Sequence, residues 1–375
     1  MRITIAIDSF KGCLSSAEAG QAVKEGVAKV LPDADIIVSP IADGGEGTVR
    51  TLVSSLNGEF RYTETVGPLG DKVTAEWGII NAETAVIETA SAAGITLIDS
   101  ERRNPLLASS YGVGELINAA IEEGCRRFII GIGGSAVNDG GAGMLEALGF
   151  ELRDEDNNII PRGAIGLSRL KSISCANANP LLEECSFRVA CDVQNPLCGE
   201  KGCSRIYGPQ KGADEDMIVK MDSWLNDFAV LSGGNPQMPG AGAAGGMGFA
   251  FAVFLHASLE KGTGIIIDET RLEETIEASD LVITGEGRMD SQTVMGKVPV
   301  GVASIAKKYG KKVIAFCGCA DEDAETCNEY GIDAIFPILR NVVTLEEAVD
   351  RTRAARNLAS TSEQVARLIK IMMSE

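Results

Sequence analysis

A chain of 375 residues with 45% hydrophobic and 23% charged residues is expected to fold as two domains of ordinary size, and is too apolar for a disordered protein. Its formal net charge of −19 repels phosphate backbones and anionic lipid, which argues against nucleic-acid and membrane-surface partners. An anionic substrate would then need local positive charge in its pocket, so a lysine or arginine inside a glycine-rich turn is informative.

Met1 leads directly into strand-like sequence, so no signal peptide is expected, and no run of about 18 apolar residues is present to span a bilayer. The ten cysteines include no Cys-x-x-Cys pair and the only histidine is His256, a poor set for zinc. Buried, reduced thiols and a cytoplasmic setting are expected.

Residues 3–7 (ITIAI) are an unbroken apolar run, the pattern of a strand buried on both faces in a parallel sheet. The run ends at Asp8-Ser9-Phe10-Lys11-Gly12. Ser15 and Glu18 then form a capping box ahead of a stripe of Val23, Val27 and Val30, which Pro32 stops. Residues 35–39 read as a second strand. The turn 42–48 (ADGGEGT) opens a helix striped by Val49, Leu52, Val53 and Leu56, closed at Asn57-Gly58. This β-α-β-α start predicts a doubly wound sheet. Short alternating segments follow over 63–86, then a helix over 112–123, a buried strand over 128–132 and several Gly- and Pro-bearing loops. Strands at 281–284, 313–316 and 334–336, with helices at 300–309 and from 345 onward, repeat the opening grammar and would complete a five-stranded sheet. The expectation is an α/β protein with a flavodoxin-like parallel-sheet domain from residues 1–65 and 268–375. A second α/β domain, 66–267, is inserted into it, with an active-site cleft between the two.

Turns that leave buried strands lie at the carboxyl edge of a sheet, where open α/β folds bind ligands. Lys11 is placed to meet a phosphate or carboxylate, and Asp8 to orient it or hold a metal; the competing reading is an Asx turn with an exposed lysine. The 43–47 turn carries carboxylates that can cap its helix unaided. The segment 131–143 (GIGGSAVNDGGAG) follows a strand and precedes a helix, and its glycines let backbone amides approach a ligand. It lacks the Gly-Lys-[Ser/Thr] ending of a Walker A loop, and a tight crossover accounts for two or three of its glycines. Asp192, just past the apolar run 187–190, suits a general base toward a hydroxyl, with Asn195 as a substrate hydrogen-bonder. Residues 208–213 (GPQKGA) make a rigid turn with one cation, Lys211. Residues 239–248 (PGAGAAGGMG) read as a close-contact loop entering a helix at 249–255, on which His256 is a packed or capping side chain. The segment 284–293 with Gly296-Lys297 gathers Arg288, Lys297, two carboxylates and three hydroxyls at one strand edge, the richest site chemistry in the chain.

Taken together and in order, DSFKG at 8–12, ADGGEGT at 42–48, GGSAVNDGGAGM at 133–144, CDVQNPL at 191–197, GPQKGA at 208–213, PGAGAAGGMG at 239–248 and GEGRMDSQT…GK at 285–297 resemble the bacterial type I glycerate kinase family. The resemblance implies a Rossmann-like domain built from both chain ends with an inserted α/β domain. It also implies transfer of phosphoryl from ATP, with Mg²⁺, to D-glycerate, typically at the 2-hydroxyl. On that basis Lys11, Arg288, Lys297 and Asp192 form the catalytic set, Asp192 accepting the hydroxyl proton. Gly133, Gly134, Ser135, Gly285 and Gly287 face the nucleotide, while Asp8, Ser9, Asn195, Lys211, Gln292 and Thr293 contact the acid. Asp8 and Asp290 are the candidate Mg²⁺ ligands. The sequence departs from the family pattern at 198–207 and at Cys317-Gly318-Cys319. The alternatives are phosphorylation at the 3-hydroxyl, another small hydroxy acid as acceptor, or a non-catalytic carboxylate-binding protein. The last leaves the cations at 211, 288 and 297 without a shared purpose.

Overall fold

The computed structural model describes residues 1–42, 47–295 and 297–373. Among them run the strands β1 (Arg2–Ile5), β2 (Asp35–Val38), β3 (Glu59–Val66), β4 (Lys72–Ile80), β5 (Thr84–Glu88), β6 (Arg127–Gly131), β7 (Glu151–Arg153), β8 (Ser172–Ser174), β9 (Ser186–Ala190), β10 (Ser258–Glu260), β11 (Leu281–Met289), β12 (Lys312–Ala320) and β13 (Ala334–Pro337). The chain divides into two units, Met1–Asp43 with Ile266–Glu375, and Gly44–Ile265.

The first unit is built on a five-stranded, wholly parallel sheet in the order β13-β12-β11-β1-β2. Its strands are the apolar runs of the sequence, and Ile3, Ile5 and Ile7 are fully buried. Counting only this unit's strands, the order is 2-1-3-4-5, the flavodoxin-like doubly wound arrangement, whose direction reverses between β1 and β11. The capping box forms: Ser15 Oγ accepts the Glu18 amide at 3.3 Å while Glu18 Oε2 accepts the Ser15 amide at 2.9 Å. It starts the helix Ser16–Ala28, which lays Val23 and Val27 into the core and packs against the helix Arg351–Met373.

The second unit carries a six-stranded sheet, β10-β9-β6-β5-β4-β3, parallel from β10 to β5 and antiparallel through β5, β4 and β3. Its core surrounds Trp77, Phe128, Phe228, Phe249 and Phe251; Trp77 is wholly buried and its indole N–H donates to Thr63 Oγ1 at 2.9 Å.

Three sequence expectations shift. Residues 44–65, assigned above to the first domain, go with the second unit. There β3 pairs with β4 from Glu59↔Ile79 to Val66↔Lys72, and the helix Thr48–Ser55 packs on β4, where a Cβ on Gly78 would lie 2.1 Å from Val53 Cγ2. Residues 43–46 of the 42–48 turn lie outside the described residues. The expected strand 281–284 runs on to Met289, because β11 stays paired with β12 through Arg288↔Cys319 and Met289↔Ala320. His256 does not lie on the helix Met247–Phe254: it follows it, exposed, at φ +51°.

Gly26 offers a test in which two effects oppose each other. Helix propensity alone makes Gly26→Ala stabilising by about 1 kcal/mol. The added Cβ, however, would sit 2.1 Å from the Ala359 carbonyl oxygen of the facing helix, a backbone atom that cannot swing aside, and such overpacking costs about 1–3 kcal/mol. A lower thermal midpoint, by about 2–4 °C, is expected in calorimetry; a raised one would show that the two helices are not in this contact.

Candidate active-site pockets

In the second unit the loops after β6 and β9 enclose a cavity of about 360 Å³ at the carboxyl ends of these neighbouring strands. Gly133, Gly134, Ser135, Asp192, Tyr207 and Lys211 line it. The glycines of 131–143 divide by physical cause. Gly134 adopts φ +69° beside the cavity. Gly140 and Gly141, also at positive φ, are where other segments press close: a Cβ on Gly141 would lie 2.5 Å from Ala250 Cβ, and the Gly140 amide donates to the Gly245 carbonyl at 2.9 Å. Gly245 itself, at φ +66°, would bring a Cβ to 2.0 Å from the Val137 carbonyl oxygen. The glycine-rich loop 239–248 is therefore backbone packed on backbone, which only glycine permits.

A fully buried carboxylate holds this loop. Asp139 Oδ2 accepts the Ser110 amide at 2.8 Å, the Ser110 hydroxyl at 2.9 Å and the Gly143 amide at 3.3 Å, and Oδ1 accepts the Gly141 amide at 3.1 Å. Burial pushes its pKa up, and the four donors oppose that shift. Sequence reading passed over Asp139 as one letter of a glycine-rich motif. The one available signal is a single acid inside a segment otherwise uncharged and rich in glycine.

Lys211 closes the cavity from the turn Pro209–Lys211. Only 3% exposed, its ammonium donates to the Val137 carbonyl at 2.6 Å and to Ser135 Oγ at 3.2 Å. Burial lowers its pKa to about 8, against the opposing pull of Cys203 and Asp139. Asp192 is exposed on the same cavity, with Oδ1 accepting the Gly262 amide at 3.2 Å. Asn195 stands behind the wall rather than in it. Its Oδ1 accepts the Tyr207 hydroxyl at 2.7 Å and its Nδ2 donates to the Lys201 carbonyl at 2.9 Å, so it fixes the tyrosine that does line the cavity. Tyr207 lies in the segment where the sequence departs from the family pattern, and its place in the wall was not foreseen.

The first unit has its own cavity, of about 440 Å³, lined by Asp8, Ser9, Lys11, Glu286, Gly287, Arg288 and Lys297 at the carboxyl ends of β1 and β11. Direction reverses in the sheet at these two strands, the position where doubly wound folds bind ligands. Glu286, buried, accepts the Thr293 hydroxyl at 2.6 Å. Burial raises its pKa, opposed by Thr293 and Lys297. Lys297 Nζ stands 3.7 Å from Glu286 and 3.6 Å from Asp290. Arg288, largely exposed, pairs with Asp321 at 2.5 Å. Thr293 is fully buried and committed to Glu286 and the Asp290 amide. Gln292 is exposed, its backbone N–H donating to Asp290 Oδ1 at 2.9 Å. Neither Gln292, Thr293 nor Asp290 lines the cavity. Gly296 lies outside the described residues.

Gly285 is explained by the sheet. A Cβ there would fall 1.8 Å from the Phe316 carbonyl oxygen, and its own carbonyl accepts the Asp8 amide at 2.9 Å. Gly287 is different: it lines the cavity, and an added Cβ would meet nothing closer than 3.4 Å.

Among the described residues no group of three or more His, Cys, Asp or Glu could hold a metal ion. Mg²⁺ characteristically takes one or two carboxylates and completes its shell with water and substrate phosphates, and Asp8 in the cavity wall fits that mode. The ten cysteines are free thiols. Burial pushes Cys203 up to about 11 and Cys317 up to about 12, which keeps them protonated and poorly nucleophilic at neutral pH.

Two units, one on a parallel and one on a mixed sheet, each with a cavity at the ends of parallel strands lined by a lysine and a carboxylate, define an α/β protein built to hold small charged ligands. The sequence model of the glycerate kinase family matches residues 3–370, and the chain belongs to that family. It is 48% identical over 372 residues to glycerate 2-kinase of Escherichia coli K12, covering 96% of this chain and 98% of that one. It is 45% identical to the glycerate kinase of Bacillus subtilis, covering 99% and 98%. A crystal structure assigned to glycerate kinase 2 of Salmonella typhimurium LT2 superposes with a TM-score of 0.92 at 44% identity, covering both chains completely. No helix among the described residues is long and apolar enough to cross a membrane.

The two β11 glycines separate packing from ligand contact. Gly285→Ala is expected to lose roughly 3 kcal/mol or more of stability, whereas Gly287→Ala stays within about 0.5 kcal/mol of the parent. Urea denaturation of the two variants side by side checks the contrast.

Proposed function

We propose that this chain is a kinase that moves the γ-phosphoryl group of ATP onto D-glycerate, at the 2-hydroxyl, in the cytoplasm. One observation carries the assignment of the acceptor: a buried ammonium, Lys211, and an exposed carboxylate, Asp192, share a single cavity. The ammonium suits the carboxylate of a small acid. The aspartate suits its hydroxyl. The name of the Escherichia coli relative, glycerate 2-kinase, supports the position of attack.

In the reaction the C2 hydroxyl oxygen forms a bond to the γ-phosphorus as the bond from that phosphorus to the bridging oxygen of ADP breaks. Asp192 takes the hydroxyl proton. Phosphoryl transfer asks a protein chiefly for positioning and charge neutralisation. Lys11, Arg288 and Lys297, lining the first unit's cavity, are the residues of this chain that meet the triphosphate. Mg²⁺, when bound with the nucleotide, would neutralise phosphate charge, held by Asp8 in the cavity wall; Asp290, the other carboxylate considered, does not line that cavity. Lys297, near both Glu286 and Asp290, is kept in place by two carboxylates until phosphate competes for it.

Lys211 yields opposite expectations for stability and activity. Lys211→Met removes a desolvated charge and is expected to leave the thermal midpoint unchanged or raise it, while kcat/KM for glycerate drops by at least about 100-fold. A variant that melts early would undo this account of the buried charge.

The same lysine sets a pH dependence. Its ammonium is lost from the free enzyme above about pH 8, so KM for glycerate is expected to climb from there. Stability moves the other way. Between about pH 8 and the ordinary value of 10.5 the unfolded chain holds a proton that the folded chain has released, so folding becomes more favourable across that window. Initial-rate profiles and melting curves over pH 7–10 read the two trends.

Asp192→Asn is expected to lower kcat by about 10²–10⁴-fold with little change in KM for ATP. Phosphorus NMR of the product decides the chemistry: 2-phosphoglycerate supports the proposal, and 3-phosphoglycerate moves the site of attack to the other hydroxyl. A panel of hydroxy acids in a coupled assay identifies the acceptor, and binding of a hydroxy acid with neither binding nor turnover of ATP would sink the kinase reading.

A further inference from the structure

The first unit's cavity is two-faced. From β11 and the segments that follow β1 and β11 it takes Asp8, Lys11, Glu286, Arg288 and Lys297, and from the chain after β13 it takes Ile338, Leu339, Leu345, Ala348, Val349 and Ala354. Several of these aliphatic side chains are not core. Leu345 is 80% exposed, and Leu339 and Val349 are also open to solvent. Aliphatic groups and cations that line one cavity, supplied by different segments of the chain, match a ligand with a flat apolar ring at one end and anionic groups at the other. Within that aliphatic half one neutral polar side chain lines the wall. It is Asn357, on the helix Arg351–Met373. It is half-buried, and neither in the side-chain hydrogen bonds nor among the charged and polar contacts does it have a partner within the described residues.

We infer that this aliphatic half is the base site of the nucleotide and that Asn357 reads adenine in it. The inference rests on the kinase reading above. The pairing follows from the donor and acceptor pattern. A carboxamide offers one acceptor and one donor side by side, which adenine matches with its N6 amino group and N7. At that same edge guanine presents O6 and N7, both acceptors, so an amide paired there by two bonds sets its oxygen against an acceptor whichever way it is turned. Leu339, Leu345 and Val349 cover the ring faces, and Lys11, Arg288 and Lys297 lie toward the phosphates. The site therefore selects the base by one amide and holds it by aliphatic contact.

The test uses the full chain and does not depend on the acceptor. Calorimetric titration with non-hydrolysable analogues of ATP and GTP, in Mg²⁺, is compared for the parent, Asn357→Leu and Leu345→Ser, with inorganic tripolyphosphate as a third probe. The parent is expected to prefer the adenine analogue by roughly tenfold or more. Asn357→Leu abolishes that preference yet binds tripolyphosphate as the parent does. Leu345→Ser, at an exposed position, weakens both nucleotides by several-fold and leaves tripolyphosphate untouched. A folded Asn357→Leu that keeps the parent's preference would overturn the assignment, and so would an equal loss for tripolyphosphate and nucleotide. A parent that binds neither nucleotide would remove the kinase reading along with it. Tight adenine-selective binding without turnover of any hydroxy acid would instead remove the acceptor assignment and leave the base site standing.

Discussion

Asp139 has no exposed surface, and its two oxygens gather four donors from Ser110, Gly141 and Gly143. An ionised carboxyl in such a place is tolerated only when its hydrogen bonds are complete. The loop is therefore obliged to keep its shape. That shape puts the Val137 carbonyl and the Ser135 hydroxyl where Lys211 can donate to them, and it sets Gly140 against Gly245. Asp139 also acts electrostatically on Lys211, favouring the ammonium that burial disfavours. One buried acid thus supports both the wall of the cavity and the charge inside it.

The two units reach similar ends by different routes. In the first, cavity-lining residues hang from the reversal point of a doubly wound sheet, where β1 and β11 lie side by side. In the second, they hang from β6 and β9 within the parallel half of a mixed sheet, whose antiparallel half contributes core and no cavity residues. The division of labour in the proposed reaction follows this. The first unit carries Lys11, Arg288 and Lys297, suited to polyphosphate, and the second a single buried cation suited to a small acid.

Much of this was legible in the sequence, and the failures have physical causes. Unbroken apolar runs such as residues 3–7 name buried parallel strands because both faces of such strands are covered, and the Ser15–Glu18 box named its helix because the two residues satisfy each other's backbone amides. Glycine was the ambiguous letter. Gly134 and Gly287 line cavities, but Gly245 and Gly285 are glycine because a neighbouring carbonyl oxygen occupies the place of a Cβ. Spacing along the chain does not distinguish these cases, since the obstruction comes from Val137 in one and Phe316 in the other. Similarly, Asn195 and Thr293 were reasonable ligand contacts by residue type, and the structure commits the side chain of each to a protein partner. Tyr207 and Asp139 were missed because a side chain's role in a wall or in a loop's interior depends on residues far away in sequence. The boundary near residue 44 was missed because β3 is assigned by its partner β4, not by its own pattern.

The first unit's sheet is assembled from both sides of a long insertion, and this bears on how the protein is made. β1 sits in the interior of that sheet, and its neighbour β11 begins only at Leu281. At ribosomal rates of about 5–20 residues per second, roughly ten seconds to three-quarters of a minute pass between synthesis of Asp43 and of Ile266. Throughout that time β1 and β2 have one another but no third strand, while the inserted unit, Gly44–Ile265, is complete in sequence as soon as it clears the ribosome. An apolar strand left with an open edge invites pairing with other chains. The first strand made after the insertion, β11, is thus the one that covers the open edge of β1 in the nascent protein.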